Sequence, residues 1–312
     1  MMAKPARMLR PDVAIVLNVL RTHTTDFADL AEHAAEKQRL ISELAPGGIA
    51  ILNADDPFVS IMTVPAGCPV YRFGEKSGND IEVGEATSSW PGRLGFTMRS
   101  AGDSRRVETQ LIGTQWITGA AAVMTAAKAL GIPMGDAAAA LAQSPPFNGR
   151  LKPVQLPVGA TILRDDYNAS VDSIDASLRV LENASATRRM LVISDMSDFG
   201  RNRKQRLKYL GARVAEVADA VVFVGENAEY GKRRAIDAGI SEGQAHAFDS
   251  IRTAAEFLRG ELREGDLVLL KGRTTDHVTR ILLAQLGTVQ CWKEYCSKRR
   301  LCDNCWELGF KQ

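Results

Sequence analysis

Three groups of residues in this 312-residue chain have the types and spacing that chemistry requires. The first runs from Asn18 through His23 to Lys37: a polar Asn-x-x-x-x-His closes an apolar run, and a lysine follows fourteen residues after the histidine. Ligands of open α/β sheets bind outside the carboxyl ends of strands, which is where His23 falls. A surface histidine and a solvated helix lysine would show the same spacing. The second group is Arg150 with Asp165-Asp166-Tyr167-Asn168. A carboxylate, an aromatic ring and an amide at a strand terminus suit a nucleotide, with Asp for ribose hydroxyls, Tyr for stacking and Asn for polar groups. Arg150 could reach phosphate from a hinge. An Asx-type turn feeding a capped helix would use the same residues. The third group is the tail CWKEYCSKRRLCDNCWELGF, where Cys291, Cys296, Cys302 and Cys305 are spaced Cys-x4-Cys-x5-Cys-x2-Cys. Four thiolates suit tetrahedral Zn²⁺, and an iron–sulfur cluster uses four cysteines as well. Trp292, Tyr295, Trp306 and Phe310 would supply the small core of such a clip. A disordered basic tail with incidental cysteines is the other reading.

The elements that must position these groups alternate between strand and helix, the mark of an α/β fold. Asp12–Leu20 is a nearly continuous apolar run, as expected of a parallel strand buried on both faces. Thr25 or Asp26 is the expected cap of the following helix. Pro46-Gly47-Gly48 turns the chain into a strand over 49–53, and the short alternating stretches within 68–112 read as an antiparallel hairpin region. An alanine-rich helix over about 118–130 ends at Gly131 and Pro133, and a shorter one covers 135–142. Ser144-Pro145-Pro146-Phe147-Asn148-Gly149 is the best linker. Beyond it, expected strands at 160–164, 189–194, 220–224 and 266–270 alternate with helices at 172–183, 203–218, 228–238, 250–260 and 275–286, a doubly wound domain. The expected partition is 1–147, 148–290 and a cysteine-rich tail at 291–312.

Composition is that of an ordinary globular protein, with 45% hydrophobic and 24% charged residues. A net charge of +2 argues against a dedicated nucleic-acid binder. No apolar run approaches a membrane span of roughly 18 residues, and the first residues lack the apolar core of a signal peptide, so a cytoplasmic protein is expected. Crowding of four cysteines into a cytosolic chain's tail favours metal over disulfides, while Cys68 stands alone.

The segment PDVAIVLNVLRTHTTDFADLAEHAAEKQRLI resembles the middle domain of the Mur ligase family, most closely the branch that adds D-Ala-D-Ala to the muramoyl tripeptide. Asn53-Ala54-Asp55-Asp56-Pro57 matches that family's turn after the next strand. Asn148-Gly149-Arg150 and Arg164-Asp165-Asp166-Tyr167-Asn168-Ala169 resemble the opening of its C-terminal domain, Ser194–Gly200 its Gly-Asp-Met-x-Glu-Leu-Gly, and Leu270-Lys271-Gly272-Arg273 its Val-Lys-Gly-Ser. The resemblance covers about residues 8–286 in the family's order. It implies an ATP-dependent amide ligase in which the position of His23 binds a Mg²⁺ and that of Lys37 is carbamoylated to hold it. A carbamate turns a cation into an oxygen ligand, which Mg²⁺ prefers. It further implies that Asp165, Tyr167 and Asn168 face the nucleotide, and that Arg150 and Lys271 steady phosphate or the acyl intermediate.

Departures from the family are equally visible. The sequence contains no Gly-x-x-x-x-Gly-Lys-Ser/Thr loop and no counterpart of the sugar-nucleotide-binding first domain. Gln115, Trp116 and Gly119 replace polar residues that contact adenine in the family; Asp166 stands at a Ser/Thr position and Val171 at a Pro position. Without the phosphate-loop strand, residues 12–20 would present a hydrophobic sheet edge. A partner, either a second copy or a chain supplying the missing half, is therefore expected to pair with it. Two functions follow: one component of a split ATP-dependent carboxylate–amine ligase, or a non-catalytic descendant that binds through its cysteine-rich tail.

Overall fold

The structure, a computed structural model, describes residues 3–20, 27, 29–196, 203–294, 296–298 and 300–310. It divides into two units, residues 1–88 with 92–145, and residues 89–91 with 146–312. Among the described residues no helix is long and apolar enough to cross a membrane.

The first unit contains α1 (Ala3–Leu9), β1 (Val13–Val16), α2 (Leu30–Ser42), β2 (Ile49–Asn53), β3 (Val70–Gly74), β4 (Ile81–Thr87), β5 (Gly95–Ser100), β6 (Asp103–Glu108), α3 (Ile117–Ala129) and α4 (Met134–Gln143). Its six strands lie side by side in chain order, β1 at one edge and β6 at the other. The first three pairings are parallel and β4-β5-β6 is an antiparallel meander. The expected hairpin region therefore begins a strand later than its alternation suggests: Val70–Gly74 pairs in parallel with β2 and buries Phe73 in the core. Alanines of α3 let that helix lie close on β2, β3 and β4. On the other face, Ala14, Val16, Ile41, Leu52 and Val59 form a core under α2.

The cap of α2 is Asp29, not the expected Thr25 or Asp26, which lie outside the described residues; its carboxylate accepts the Glu32 N–H at 2.8 Å.

The second unit contains β7 (Lys152–Gln155), β8 (Thr161–Asp165), α5 (Val171–Glu182), β9 (Arg188–Ile193), α6 (Arg203–Val217), β10 (Ala220–Val224), α7 (Ala228–Asp237), β11 (Ala245–Phe248), α8 (Ile251–Glu261), β12 (Asp266–Lys271) and α9 (Thr279–Leu286). Strand order is β11-β10-β9-β12-β8-β7, parallel except for the β7–β8 hairpin. Helices α5, α6 and α7 pack in series on one face, whereas α8 packs on α9. The helices that follow β9 and β12 thus leave in opposite directions and open a crevice at the carboxyl ends of those strands, the usual ligand position of a doubly wound sheet. The tail from Cys291 belongs to this unit: Cys302 and Leu308 are buried in the core beneath α8 and α9.

Removing the α2 cap by Asp29→Ala is expected to cost about 1 kcal/mol, read as a lower midpoint in urea unfolding.

Candidate functional site

In the first unit, the turn after β2 is tied to the end of β1. Asn53 donates its side-chain amide to the Leu17 carbonyl at 2.8 Å and accepts the Asp55 N–H at 2.9 Å. One carboxylate oxygen of Asp56 takes the Val19 N–H at 2.8 Å, and the other takes the Phe58 and Val59 N–H groups at 2.9 and 3.0 Å. Against this frame α2 delivers Lys37, whose Nζ donates to the Asn18 carbonyl at 2.5 Å. Burial lowers the Lys37 pKa and the nearby Asp56 carboxylate opposes the shift. A lowered pKa leaves more of the amine neutral at a given pH, the form that reacts with electrophiles. His23 lies outside the described residues. The histidine of this region that is described, His33, is buried and its Nδ1 is 3.2 Å from the Leu20 carbonyl.

In the second unit, β8 and β12 are parallel neighbours, and their register sets Asp165 beside Lys271. The two side chains form an ion pair at 2.5 Å, and Ser177 Oγ donates to the same carboxylate oxygen at 2.5 Å. Lys271 is 1% exposed. Burial pushes its pKa down, and Asp165 pushes back. Lys271 and Asp165 are thus held mainly by each other.

One residue earlier, Arg164 is 3% exposed and pairs with two carboxylates. Its Nε reaches Asp166 at 2.8 Å, and its Nη1 and Nη2 reach Asp303 of the tail at 2.6 and 2.7 Å. Thr279 at the start of α9 donates to Asp166 and lies 3.1 Å from Arg164 Nη2. Burial disfavours the guanidinium charge, but Asp303 and Asp166 outweigh it and raise the pKa.

On this buried base the turn presents its aromatic residue outward. Tyr167 is 41% exposed. The Arg150 guanidinium carbon stands 4.4 Å from its ring centroid, and Phe147 meets it edge-on at 5.9 Å. Gly149 holds φ at +77°, and a Cβ there would come within 2.9 Å of the Asp166 carboxylate, so glycine is required beside the turn. Asn168 turns its Oδ1 to the Ala169 N–H at 2.9 Å. The turn is completed by the Thr274 N–H, which donates to the Tyr167 carbonyl at 3.3 Å.

The crevice at the ends of β9, β10 and β12 is a cavity of about 780 Å³. Its wall includes Ser194, Asp195, Glu226, Arg273, Asp276 and Trp292. Ser194 Oγ donates to Asp276 at 2.6 Å, Arg273 pairs with the same carboxylate, and Asn227 donates to Asp195 at 2.9 Å. Of the motif at Ser194–Gly200, the last four residues lie outside the described residues.

The tail cysteines are free thiols. Among the described residues no group of three or more His, Cys, Asp or Glu side chains is placed to hold a metal ion. Trp306 is 81% exposed, so it takes no part in the small core expected of the tail; Trp292 and Phe310 pack instead against the core of the second unit, and Tyr295 lies outside the described residues. Sequence reading took Arg164 only as the first residue of its motif and missed Thr279 and Asp303. Thr279 opens a helix without a spacing pattern of its own. Asp303 sits between two cysteines that draw attention from it.

The description "Mur ligase middle domain" matches residues 2–127, and "Mur ligase, glutamate ligase domain" matches residues 149–274. The UDP-N-acetylmuramoyl-tripeptide--D-alanyl-D-alanine ligase of Escherichia coli (strain K12) is 30% identical over 251 residues, which are 80% of this chain and 52% of that protein. Its counterpart in Mycobacterium tuberculosis (strain ATCC 25618 / H37Rv) is 29% identical over 286 residues, 85% of this chain and 56% of that one. Among solved structures, MurF from Acinetobacter baumannii superposes with a TM-score of 0.79 at 24% identity, covering 89% of this chain and 60% of its own. MurF from Thermotoga maritima in complex with ADP gives 0.73 at 23%, covering 91% and 64%. The chain therefore spans little more than half the length of the curated relatives it matches.

Removing one partner of a buried ion pair leaves the other charge uncompensated, so Lys271→Ala, which strips Asp165 of its cation, is expected to cost about 3 kcal/mol, measured by denaturant unfolding. A chain with the two-sheet fold, the Asn53–Asp56 turn, the Asp165–Asn168 turn and these matches belongs to the Mur ligase family, of which it carries middle-domain and C-terminal-domain sequence.

Proposed function

We propose that this chain is one component of an ATP-dependent carboxylate–amine ligase and contributes the carbamate and nucleotide-facing parts of the site. The observation that carries this reading is the exposed Tyr167 ring under Arg150, mounted on the buried Asp165–Lys271 and Arg164–Asp166 pairs. An aromatic face beside a guanidinium offers stacking for a base and charge for phosphate. Asp165 and Lys271 then act mainly by fixing the turn, and Asn168 lends a polar edge. In the reaction, the γ-phosphoryl group of ATP passes to a carboxylate oxygen, giving an acyl phosphate and ADP. An amine then attacks the carbonyl carbon, loses a proton and expels inorganic phosphate.

The surroundings of Lys37 fit a Mg²⁺ site, because the Asn18 carbonyl and the Asp56 carboxylate place hard oxygen donors near its amine. Carbamoylation joins CO₂ to the neutral amine with release of a proton, and His23 would be a further ligand. Such an ion neutralises phosphate charge during transfer.

A phosphate loop has to come from outside the sequence described. The β1 edge is where it would join, since Ile15, Leu17 and Leu20 there are exposed while the opposite edge strand β6 carries the ion pairs Arg105–Asp103 and Arg106–Glu108. Charges of that kind block strand addition, and their absence permits it. A phosphate-loop segment of a partner chain would pair with β1 through backbone hydrogen bonds; a second copy of this chain is the other candidate. The tail is proposed to bind zinc, on its cysteine spacing; an iron–sulfur cluster would betray itself by visible absorption. A cytoplasmic location accords with the substrates of the named relatives being nucleotide-linked.

One observation favours a non-catalytic descendant instead: Trp116, standing where the family has a polar residue, has a buried Nε1 without a hydrogen bond and packs against the apolar core under α3. Calorimetric titration with Mg-ATP separates the readings. Weak binding by the chain alone and tight binding once a phosphate-loop polypeptide is added support the ligase component; no binding by the assembled pair rules it out. In parallel, Lys37 is expected to be acylated by acetic anhydride at lower pH than the surface lysines, because its folded-state pKa lies below the ordinary value of 10.5. Peptide mass mapping across a pH series would record this, and titration together with the surface lysines would contradict it.

A further inference from the structure

We propose that His277, from the body of the second unit, is the fourth ligand of a Cys₃His zinc site with Cys291, Cys302 and Cys305, and that Cys296 stands outside it. This rests on the zinc reading of the tail and replaces its ligand set.

Two ligands of one tetrahedral zinc, a sulfur at about 2.3 Å and a nitrogen at about 2.0–2.1 Å, stand about 3.5 Å apart. Cys302 Sγ and His277 Nδ1 are 3.4 Å apart, so one edge of the tetrahedron is already in place. Both residues are buried, at 4% and 3% exposure. His277 also holds a left-handed backbone, φ 56°, which a non-glycine residue keeps only where its surroundings demand it.

The remaining sulfurs sort themselves by packing. Cys291 and Cys305 rest against the same core that contains Cys302, and Cys296 does not; it lines the cavity at the ends of β9, β10 and β12. The Cys305 N–H donates to the Cys302 carbonyl at 2.9 Å, the tight turn of a Cys-x-x-Cys knuckle. Cys291 is brought alongside by the Gln290 and Cys291 N–H groups, both donating to the Leu308 carbonyl at 3.0 and 3.3 Å. Among the described residues no three donors converge, so the half-buried Cys291 and Cys305 would have to move toward the Cys302–His277 pair to close on a metal.

Charge favours histidine over a fourth thiolate. Zinc with four thiolates carries two negative charges into this core, and with three thiolates and a neutral imidazole it carries one. Arg280 Nε at 3.4 Å from Cys302 and Lys298 Nζ at 3.9 Å from Cys305 are the cations at hand. With zinc on Nδ1, the imidazole proton resides on Nε2, which is buried and without a hydrogen bond of good geometry. The backbone of Cys296 is the acceptor near the ring, so that residue would serve through its carbonyl while its thiol stays free. The metal would then join the tail to the loop after β12 that carries Arg273 and Asp276.

The test loads the full chain with one equivalent of zinc, alkylates it with iodoacetamide without denaturant and maps the modified cysteines by mass spectrometry. Expected are one tightly bound zinc per chain, modification at Cys296 and protection of Cys291, Cys302 and Cys305. The wild-type protein loaded with cobalt should show the absorption of three thiolates and one nitrogen, a readout that needs no variant. Cys296→Ser should keep its zinc, whereas His277→Ala should bind zinc at least tenfold more weakly. Protection of Cys296 with a four-thiolate cobalt spectrum would overturn the His277 assignment and leave a zinc tail standing. Failure of the wild-type chain to bind zinc at all would overturn both.

Discussion

A guanidinium buried as deeply as Arg164 is tolerable only if carboxylates surround it, because the effective cost of taking such an ion out of water is several kcal/mol. That demand orders the carboxyl end of β8. Asp166 must turn back on Arg164, the chain must then expose Tyr167, and Gly149 must remain without a side chain to let the Asp166 carboxylate pass. Thr279 fixes the start of α9 to the same pair, and Asp303 fastens the tail. The neighbouring Asp165–Lys271 pair is bound by the same logic one residue further along, where the parallel register of β8 and β12 sets the two side chains against each other. What is left facing solvent, Tyr167 and Arg150, is what such a rigid base can offer to a ligand.

Much of the second unit was readable because its strands are short continuous apolar runs punctuated by glycine and capped helices, and both periodicities are strong there. Strands β7 and β11 were not. Lys152–Gln155 contains a proline and pairs only at an edge, and Ala245–Phe248 alternates alanine with a ring-bearing residue; both take their conformation from the neighbour they pair with. Helix α9 begins at Thr279 and not at 275, since Thr274–Asp276 is spent on a 3₁₀ turn whose Asp276 caps it and pairs with Arg273. The Asp165–Asn168 motif announced itself by residue type, but that Asp165 and the adjoining Arg164 are engaged internally depends on partners 106 and 139 residues distant, Lys271 and Asp303 respectively. No local pattern contains that information.

The tail illustrates the same limit. Its four cysteines are conspicuous, and their spacing alone groups them with one another. In the folded chain the nearest polar partners of Cys302 are His277 and Arg280, both from the domain body. A short cysteine-rich segment has too little apolar surface to fold by itself, so Cys302 and Leu308 complete the core of the second unit, and Asp303 answers a charge on its sheet. The tail is an integral part of that unit's packing.

The first unit lacks such closure. Its sheet ends on one side in β6, whose arginines and acids are engaged in ion pairs along the strand, and on the other in β1, whose apolar residues are partly bare. A sheet whose two edges were both meant for water would be expected to protect both, since an open apolar edge invites pairing with any available strand. The asymmetry makes β1 the edge that can accept a further strand. The Asn53–Asp56 turn holds the end of β1 and the Lys37 amine together at the carboxyl end of the sheet. Under the ligase reading proposed above, the edge that accepts a strand and the Lys37 amine belong to one site.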